Sequence, residues 1–291
     1  MIIIKLKGGL GNQLFQYAAA RSLAHIHKTT VKLDTTNYYY GEPRQYELCH
    51  FNIQENLAQK LEIHKLTKVK QNKFQKIVHT LLHNHPPLSP HHIRYNKSEL
   101  YKNFFNLPDN IYLDGYFQSE KYFLNIAHII RNEFTVKNEM SDKNKKITEM
   151  MQNVSSVNLH IRRGDYVSDA KANQKHGVCS LDYYHSCIEH IGKKIKDPHF
   201  FVFSNDITWS RNNLKINCND VTYVDYNKPN EAYEDLRLMS FCKHHITANS
   251  TFSWWGAWLA FYKDKMVFVP KKWFAKEKDT EGMLPDSWIK I

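Results

Sequence analysis

The sequence contains no apolar run long enough to cross a membrane or to serve as an export signal. Its opening stretch, Ile2-Ile3-Ile4, is broken at once by Lys5 and Lys7, whereas a membrane helix needs about 20 apolar residues. The expected compartment is therefore the cytoplasm. Cysteine is sparse and odd in number: five residues, Cys49, Cys179, Cys187, Cys218 and Cys242, at scattered spacings. Such spacing argues against a disulfide framework or a cysteine-type zinc site, and free thiols are expected. No Asp-x-Asp pair occurs in the chain, so the acidic clamp that commonly holds a divalent cation against a phosphorylated ligand is missing, and no bound metal is expected. The dinucleotide fingerprint is also incomplete. Gly9 and Gly11 stand in G-x-G register, but Leu14 occupies the place of the third glycine. No internal repeat or low-complexity tract is visible.

What is present points to a two-domain α/β protein. A chain of 291 residues exceeds the usual single core, and its 42% hydrophobic and 13% aromatic content can build two. The formal charge of +11 selects anionic partners: nucleic acid, an acidic membrane surface or a phosphorylated substrate. A non-catalytic basic module binding RNA or DNA is disfavoured, because the charges are spread rather than striped and no nucleic-acid motif occurs. His79, His83, His85, His91 and His92 cluster, but Pro86, Pro87 and Pro90 interrupt them, so a solvated loop is expected there rather than a metal site.

The apolar periodicity predicts a strand at the amino terminus, a helix over 14–24, a strand at 30–33, one or two amphipathic helices within 54–82, and a strand at 111–113 followed by a helix to about 134. The most polar stretch, 137–146, marks a domain boundary, giving expected domains of 1–150 and 151–291 whose last ~15 residues return to the first domain. Beyond it strands (157–161, 200–203, 221–224, 244–248, 266–269) alternate with helices (181–194, 207–214, 231–242, 252–262), the pattern of a doubly wound parallel sheet.

Four segments carry polar chemistry at the ends of apolar elements. In the first, Gly8-Gly9-Leu10-Gly11-Asn12-Gln13 follows a short strand and opens a helix, offering amides to an anion or a sugar hydroxyl. Asn12 and Gln13 stand where apolar residues would serve packing equally well. In the second, His160-Ile161-Arg162-Arg163-Gly164-Asp165-Tyr166 ends the strand at 157–161. Open α/β sheets bind ligands at that edge, and a guanidinium there can grip a phosphate bidentately. Period-two alternation puts His160 and Arg162 on one face and Arg163 on the other, which favours Arg162 as the phosphate ligand. Asp165 serves either as a base or as an ion-pair partner for Arg163. In the third, Phe203-Ser204-Asn205-Asp206 either reads a nucleoside edge or caps the next helix. In the fourth, Asn249-Ser250-Thr251-Phe252 places hydroxyls and amides at a helix start, while Trp254, Trp255 and Trp258 have the spacing of core residues.

These four segments, in this order and over the whole chain, resemble the bacterial α-1,2-fucosyltransferases: G-G-L-G-N-Q-L-F-Q-Y-A at 8–18, H-I-R-R-G-D-Y at 160–166, F-S-N-D at 203–206 and N-S-T-F-S-W-W-G-A-W-L at 249–259. The resemblance implies a GT-B fold of two facing Rossmann-like, doubly wound domains. It also implies inverting transfer of fucose from GDP-fucose to the 2-hydroxyl of a β-galactoside-terminated or lipid-linked glycan. GDP-fucose is then the donor substrate, no separate cofactor is needed, and peripheral membrane contact is compatible with the basic surface. The alternative it leaves open is another fucosyl linkage, α-1,6 or protein-directed.

In this scheme Arg162 contacts the diphosphate, Asp165 is the leading general base with Asp169 behind it, and Asn12 positions the acceptor hydroxyl or the fucose ring. The donor is held by His160, Arg162, Arg163, Ser204, Asn205, Asp206, Asn249, Ser250, Thr251 and Phe252, with Gly9 and Gly11 lending backbone amides. Asp235 is either a further donor contact or a helix-start charge. The acceptor is expected near Gly8–Gln16 and the loop at Tyr38–Gln45, where Tyr38, Tyr39 and Tyr40 stack on galactose or cover a small core.

Overall fold

The computed structural model describes residues 1–40, 44–69, 89–94, 103–216, 220–275 and 282–291. It divides into two compact units, Met1–Phe134 and Thr135–Ile291, each built on a parallel sheet. In the first, strands β1 (Ile2–Lys5), β2 (Val31–Asp34), β3 (His92–Arg94) and β4 (Ile111–Asp114) lie in the order β2-β1-β4-β3. Ile2, Ile3 and Ile4 are fully buried, as the unbroken apolar run requires of a strand covered on both faces. Helices α1 (Leu10–Ile26), α2 (Lys60–Thr67) and α3 (Ala127–Glu133) accompany this sheet.

The second unit carries six parallel strands in the order β10-β9-β8-β5-β6-β7: β5 (Ser155–Ile161), β6 (Pro198–Ser204), β7 (Val221–Val224), β8 (His244–Ile246), β9 (Val267–Val269) and β10 (Ile289–Lys290). Its helices are α4 (Asp142–Asn153), α5 (Gly164–Ser168), α6 (Ala170–His176), α7 (Leu181–Lys194), α8 (Ile207–Asn213), α9 (Ala232–Phe241) and α10 (Thr251–Leu259). Val157, Leu159 and Ile161 of β5 face one core with Phe200, Val202, Ile246 and helix α7 residues Tyr184 and Ile191. Phe201, Phe203, Leu238 and Met239 build the core on the other face. Trp254 and Trp255 are fully buried and Trp258 nearly so, as their spacing predicts.

The division falls upstream of the expected residue 150, because α4 belongs to the second unit. Ser141 caps this helix by accepting the Asn144 N–H at 3.3 Å. Asn144, Thr148 and Met151 form its buried stripe, and Met151 packs with Leu238 and Met239. Two of those three buried residues are polar, so no apolar periodicity announced the helix. The chain end adds β10 as an edge strand beside β9, pairing Ile289 with Phe268.

Where a loop is expected at His92, the chain forms strand β3, three residues long and paired in parallel with β4. His79, His83, His85 and Cys218 lie outside the described residues, as does much of the predicted helical stretch at 54–82, of which α2 is the described part. Among the described residues no helix is long and apolar enough to cross a membrane. The four described cysteines are free thiols.

Candidate active site

The second sheet reverses direction at β5. From β5 the chain winds outward to β6 and β7, then returns to place β8 on the other side. In open parallel sheets the crevice at such a reversal, at the carboxyl ends of the strands, is where ligands bind. His160 and Arg162 stand there, and three of the four sequence motifs meet at this edge.

Arg162 and Arg163 lie just beyond the end of β5 and take different surroundings. The Arg163 guanidinium lies 3.7 Å from the Trp209 ring centroid, and its Nε is 3.5 Å from the Asp206 carboxylate. It is held by the protein. Arg162 lies over Tyr166 at 5.3 Å, and Tyr166 stacks on His176 with centroids 4.7 Å apart and planes 8° apart. An aromatic platform thus orients the guanidinium at the carboxyl end of β5. Asp165 sits in α5, directly after this pair; its side chain lies outside what the structure describes.

His160 is buried, with its ring 5.6 Å from that of Phe252 and its Nδ1 without a hydrogen-bond partner among the described residues. Burial, and then the charge of Arg162, push its pKa down to about 3, so the imidazole is neutral at physiological pH. The Phe252 contact joins the second motif to the fourth. Ser250 is the N-cap of α10 but makes no side-chain capping bond, and Ser253 Oγ instead accepts the Ala248 N–H at 3.0 Å. The start of α10, with Ser250, Thr251 and Phe252, therefore presents its positive dipole end beside His160.

The remaining candidates shape this edge. Asn205 Oδ1 accepts the Arg163 N–H at 2.9 Å, tying β6 to β5. A Cβ on Gly164, whose φ is +24°, would fall 2.1 Å from Asn205 Nδ2. Ser204 Oγ accepts the Asp206 N–H at 2.9 Å, and Asp206 accepts the Trp209 N–H at 3.2 Å as the N-cap of α8. Of the two readings of this segment, edge reader or cap, the described bonds make Asp206 a cap and Asn205 a brace. Asn249 is likewise committed. Its amide donates to the carbonyls of His176, Gly177 and Trp273 at 2.9, 3.3 and 3.2 Å, and its Oδ1 accepts from the Cys179 thiol at 3.5 Å.

Asp235, in the first turn of α9, accepts the Asn227 amide at 2.7 Å. Burial, assisted by the nearby Glu234 and Glu231 charges, raises its pKa to about 6. A carboxyl raised this way contributes stability that is complete below the unfolded value of 3.8 and lost as pH rises through about 6. Asp235→Asn keeps the acceptor oxygen and removes the charge. It is expected to raise stability at pH 7.5 by on the order of 1–2 kcal/mol after allowance for solvent screening, with no gain below about pH 4. Urea melts of both proteins at the two pH values check this.

The glycine turn belongs to the first unit's sheet, which also reverses at its first strand, between β1 and β4. Gly8 has φ of +78°, a conformation open to glycine. Gln13, fully buried, donates to the carbonyls of Gly8 and Gln45 at 3.0 and 2.8 Å and accepts the Glu47 N–H at 2.9 Å. Its amide is spent on holding the turn. Gly9 is the N-cap of α1, and Gly11 is buried in its first turn. Here the Leu10 N–H is taken by the Glu47 carboxylate at 3.2 Å, a protein anion already at the position where Gly9 and Gly11 were expected to serve a phosphate. Asn12 Oδ1 accepts the Gln118 amide at 2.8 Å. Tyr38 donates to the Gly8 carbonyl at 2.9 Å, bracing the turn, while Tyr39 and Tyr40 are exposed.

Sequence reasoning missed Tyr166 and His176 as the platform for Arg162, Gln118 as the partner of Asn12, and Glu47 at the start of α1. Gln118 and Glu47 are distant in sequence from the residues they hold, Asn12 and Leu10. Among the described residues no group of three His, Cys, Asp or Glu side chains is placed to hold a metal ion.

The model of glycosyl transferase family 11 matches residues 1–291. The chain belongs to that family. This family 11 protein is 33% identical to an alpha-1,2-colitosyltransferase of Escherichia coli, over all of this chain and 99% of the relative. It is also 33% identical to the Escherichia coli O-antigen biosynthesis glycosyltransferase WbnK, over 98% of this chain and 99% of the relative. A galactoside alpha-(1,2)-fucosyltransferase 2 of Pongo pygmaeus is 26% identical over 63% of this chain and 54% of the relative. Among solved structures, the alpha-1,6-fucosyltransferase NodZ soaked with GDP-fucose superposes with a TM-score of 0.54 at 16% identity, covering 89% of this chain and 92% of NodZ. The glycosyltransferase thus has the parallel-sheet α/β fold of the GT-B class, as its alternating elements predict.

Proposed function

We propose that this glycosyltransferase transfers L-fucose from GDP-β-L-fucose to the 2-hydroxyl of a terminal β-galactoside, with inversion and without a bound metal. The observation that carries the reading is the pairing of Arg162 with the uncapped start of α10 around the neutral His160, at the reversal point of the second sheet. A departing diphosphate needs its developing charge stabilised, and a platform-held guanidinium with a helix N-terminus supplies that from fixed donors.

In the single displacement, the acceptor oxygen forms its bond to the anomeric carbon from the face opposite GDP. The bond from that carbon to the phosphate oxygen breaks, and GDP leaves with the electron pair. The acceptor proton goes to a general base, for which Asp165 is the candidate. Asn12 is too weak a base for that task and serves by positioning the acceptor. His160 and Phe252 line the donor side, and Asp235, on the helix after β7, is the acidic group available to a guanine edge. Glycan acceptors of the O-antigen type are favoured by the full-length similarity to WbnK.

The equal similarity to a colitosyltransferase favours one rival donor. The test is incubation with GDP-fucose and a panel of β-galactosides in chelator, run in parallel with a colitosyl donor, followed by linkage analysis. An α-1,2-linked fucose without added metal is expected. Transfer from the colitosyl donor alone, or a different linkage, overturns the assignment.

A further inference from the structure

We propose that Gln118 is a positioning residue for transfer: it fixes the Asn12 amide so that the N–H side, and not the carbonyl, is offered at the glycine turn. The proposal rests on the reading that Asn12 serves the acceptor. Gln118 follows β4, and Asn12 stands in the first turn of α1, so the two reach each other across the reversal point of the first sheet. Gln118 Nε2 donates to Asn12 Oδ1 at 2.8 Å, the one strong acceptor on that side chain. The Asn12 Nδ2 hydrogens therefore remain for other use. Nδ2 lies over Gly8, where a Cβ would approach it to 2.6 Å, so the glycine leaves room for this orientation.

The loop that carries Gln118 is built to hold it. Phe117 adopts φ of +48°, a left-handed conformation costly for a bulky residue, and its ring is fully buried against Phe104 and Tyr122 at 5.8 and 5.6 Å. Directly after Gln118, the Ser119 N–H bonds back to the Phe117 carbonyl at 2.8 Å, and Ser119 Oγ accepts the Lys121 N–H at 3.3 Å. Gln118 itself is only half-buried and packs no core. A strained backbone that displays a half-buried amide toward another amide serves orientation better than stability. An acceptor oxygen facing Asn12 then meets a donor of fixed direction, which costs no reorganisation in the transition state.

The substitution Gln118→Glu tests the direction. A carboxylate accepts only, so Asn12 must turn its Nδ2 toward residue 118 and present its carbonyl outward. At pH 7.5 kcat is expected to fall about 10- to 100-fold, with KM for GDP-fucose and the melting temperature unchanged. As pH falls from 7.5 toward 5.5, the protonated fraction of a carboxyl titrating near 4.3 grows severalfold and regains a donor. The ratio of Gln118→Glu to wild-type kcat at each pH is then expected to recover, which a packing role would not produce. Gln118→Ala, which frees Asn12 to turn either way, should lie between the two.

Wild-type kcat in Gln118→Glu, or a loss that does not recover in acid, overturns the proposal. If Asn12→Ala is impaired while Gln118→Glu is not, only this inference fails. A wild-type enzyme without fucosyl transfer, or an unimpaired Asn12→Ala, removes the reading and the inference together.

Discussion

Arg162→Ala is expected to lower kcat for fucosyl transfer by about 10²- to 10³-fold, the usual loss when one fixed donor to a developing anion is removed. The fold should survive, because this half-buried side chain leans on Tyr166 beyond the end of β5 rather than in either core. Arg162→Lys keeps the charge but loses the planar fork and the stacking on Tyr166, so an intermediate kcat is expected. Arg163→Ala supplies the contrast. It removes the stack on Trp209 and the ion pair with Asp206, both internal to the protein. Its melting temperature should drop more than that of Arg162→Ala, and its kcat less. Single-turnover rates with GDP-fucose, read beside thermal melts of the three variants, distinguish a donor to the leaving group from a brace. Retained turnover in Arg162→Ala removes the proposed leaving-group role.

The features legible in the sequence are those set by short-range periodicity. The β-branched run before Arg162 ends a strand, and the tryptophans of α10 fall in the core because their spacing puts them on one helix face. Helix α4 was illegible because its buried stripe is Asn144, Thr148 and Met151. Its burial is made possible by a partner far along the chain: Asn144 donates to Glu234 at 3.1 Å.

The same reason governs the site. Each polar residue in a motif has two uses, toward a ligand or toward its own loop, and the difference lies in partners that sequence proximity does not reveal. Gln13 turns to Gly8 and Gln45, Asn249 to His176 and Trp273, and Asn205 to Arg163, so all three are scaffold by their described bonds. Asn12 and Gln13 are adjacent and of like chemistry, yet one is held by a single amide and the other is consumed by the turn. Composition treats them as equals; only the fold separates them.

The second large effect concerns acid. His160 and His245 are buried on β5 and β8, and each is held neutral. The His245 Nδ1 lies 3.2 Å from the Asn158 amide. Burial is the main cause for both. Arg162 adds its charge at His160, while Lys265 and His244 add theirs at His245. A base whose folded pKa is depressed contributes its stability in full above the unfolded value of 6.5 and loses it as pH falls toward the folded value, about 3 for His160. Between those limits His160 should cost about 1.4 kcal/mol per pH unit, on the order of 3 kcal/mol by pH 4.5, and His245 shifts stability in the same direction.

Glu47, Glu234 and Asp235 oppose this loss, since burial raises their carboxyl pKa values and they gain stability in acid. The histidine contribution is therefore read as a difference between proteins. His160→Gln removes the titration at β5 while retaining a polar side chain of similar reach. The wild type's stability relative to this variant should be constant above pH 7 and shrink by about 1.4 kcal/mol for each unit below 6.5. Denaturant unfolding of both proteins from pH 8 to 4.5 measures it. A pH-independent difference would mean that His160 takes up its proton without hindrance, and the neutral imidazole assigned to it would be wrong.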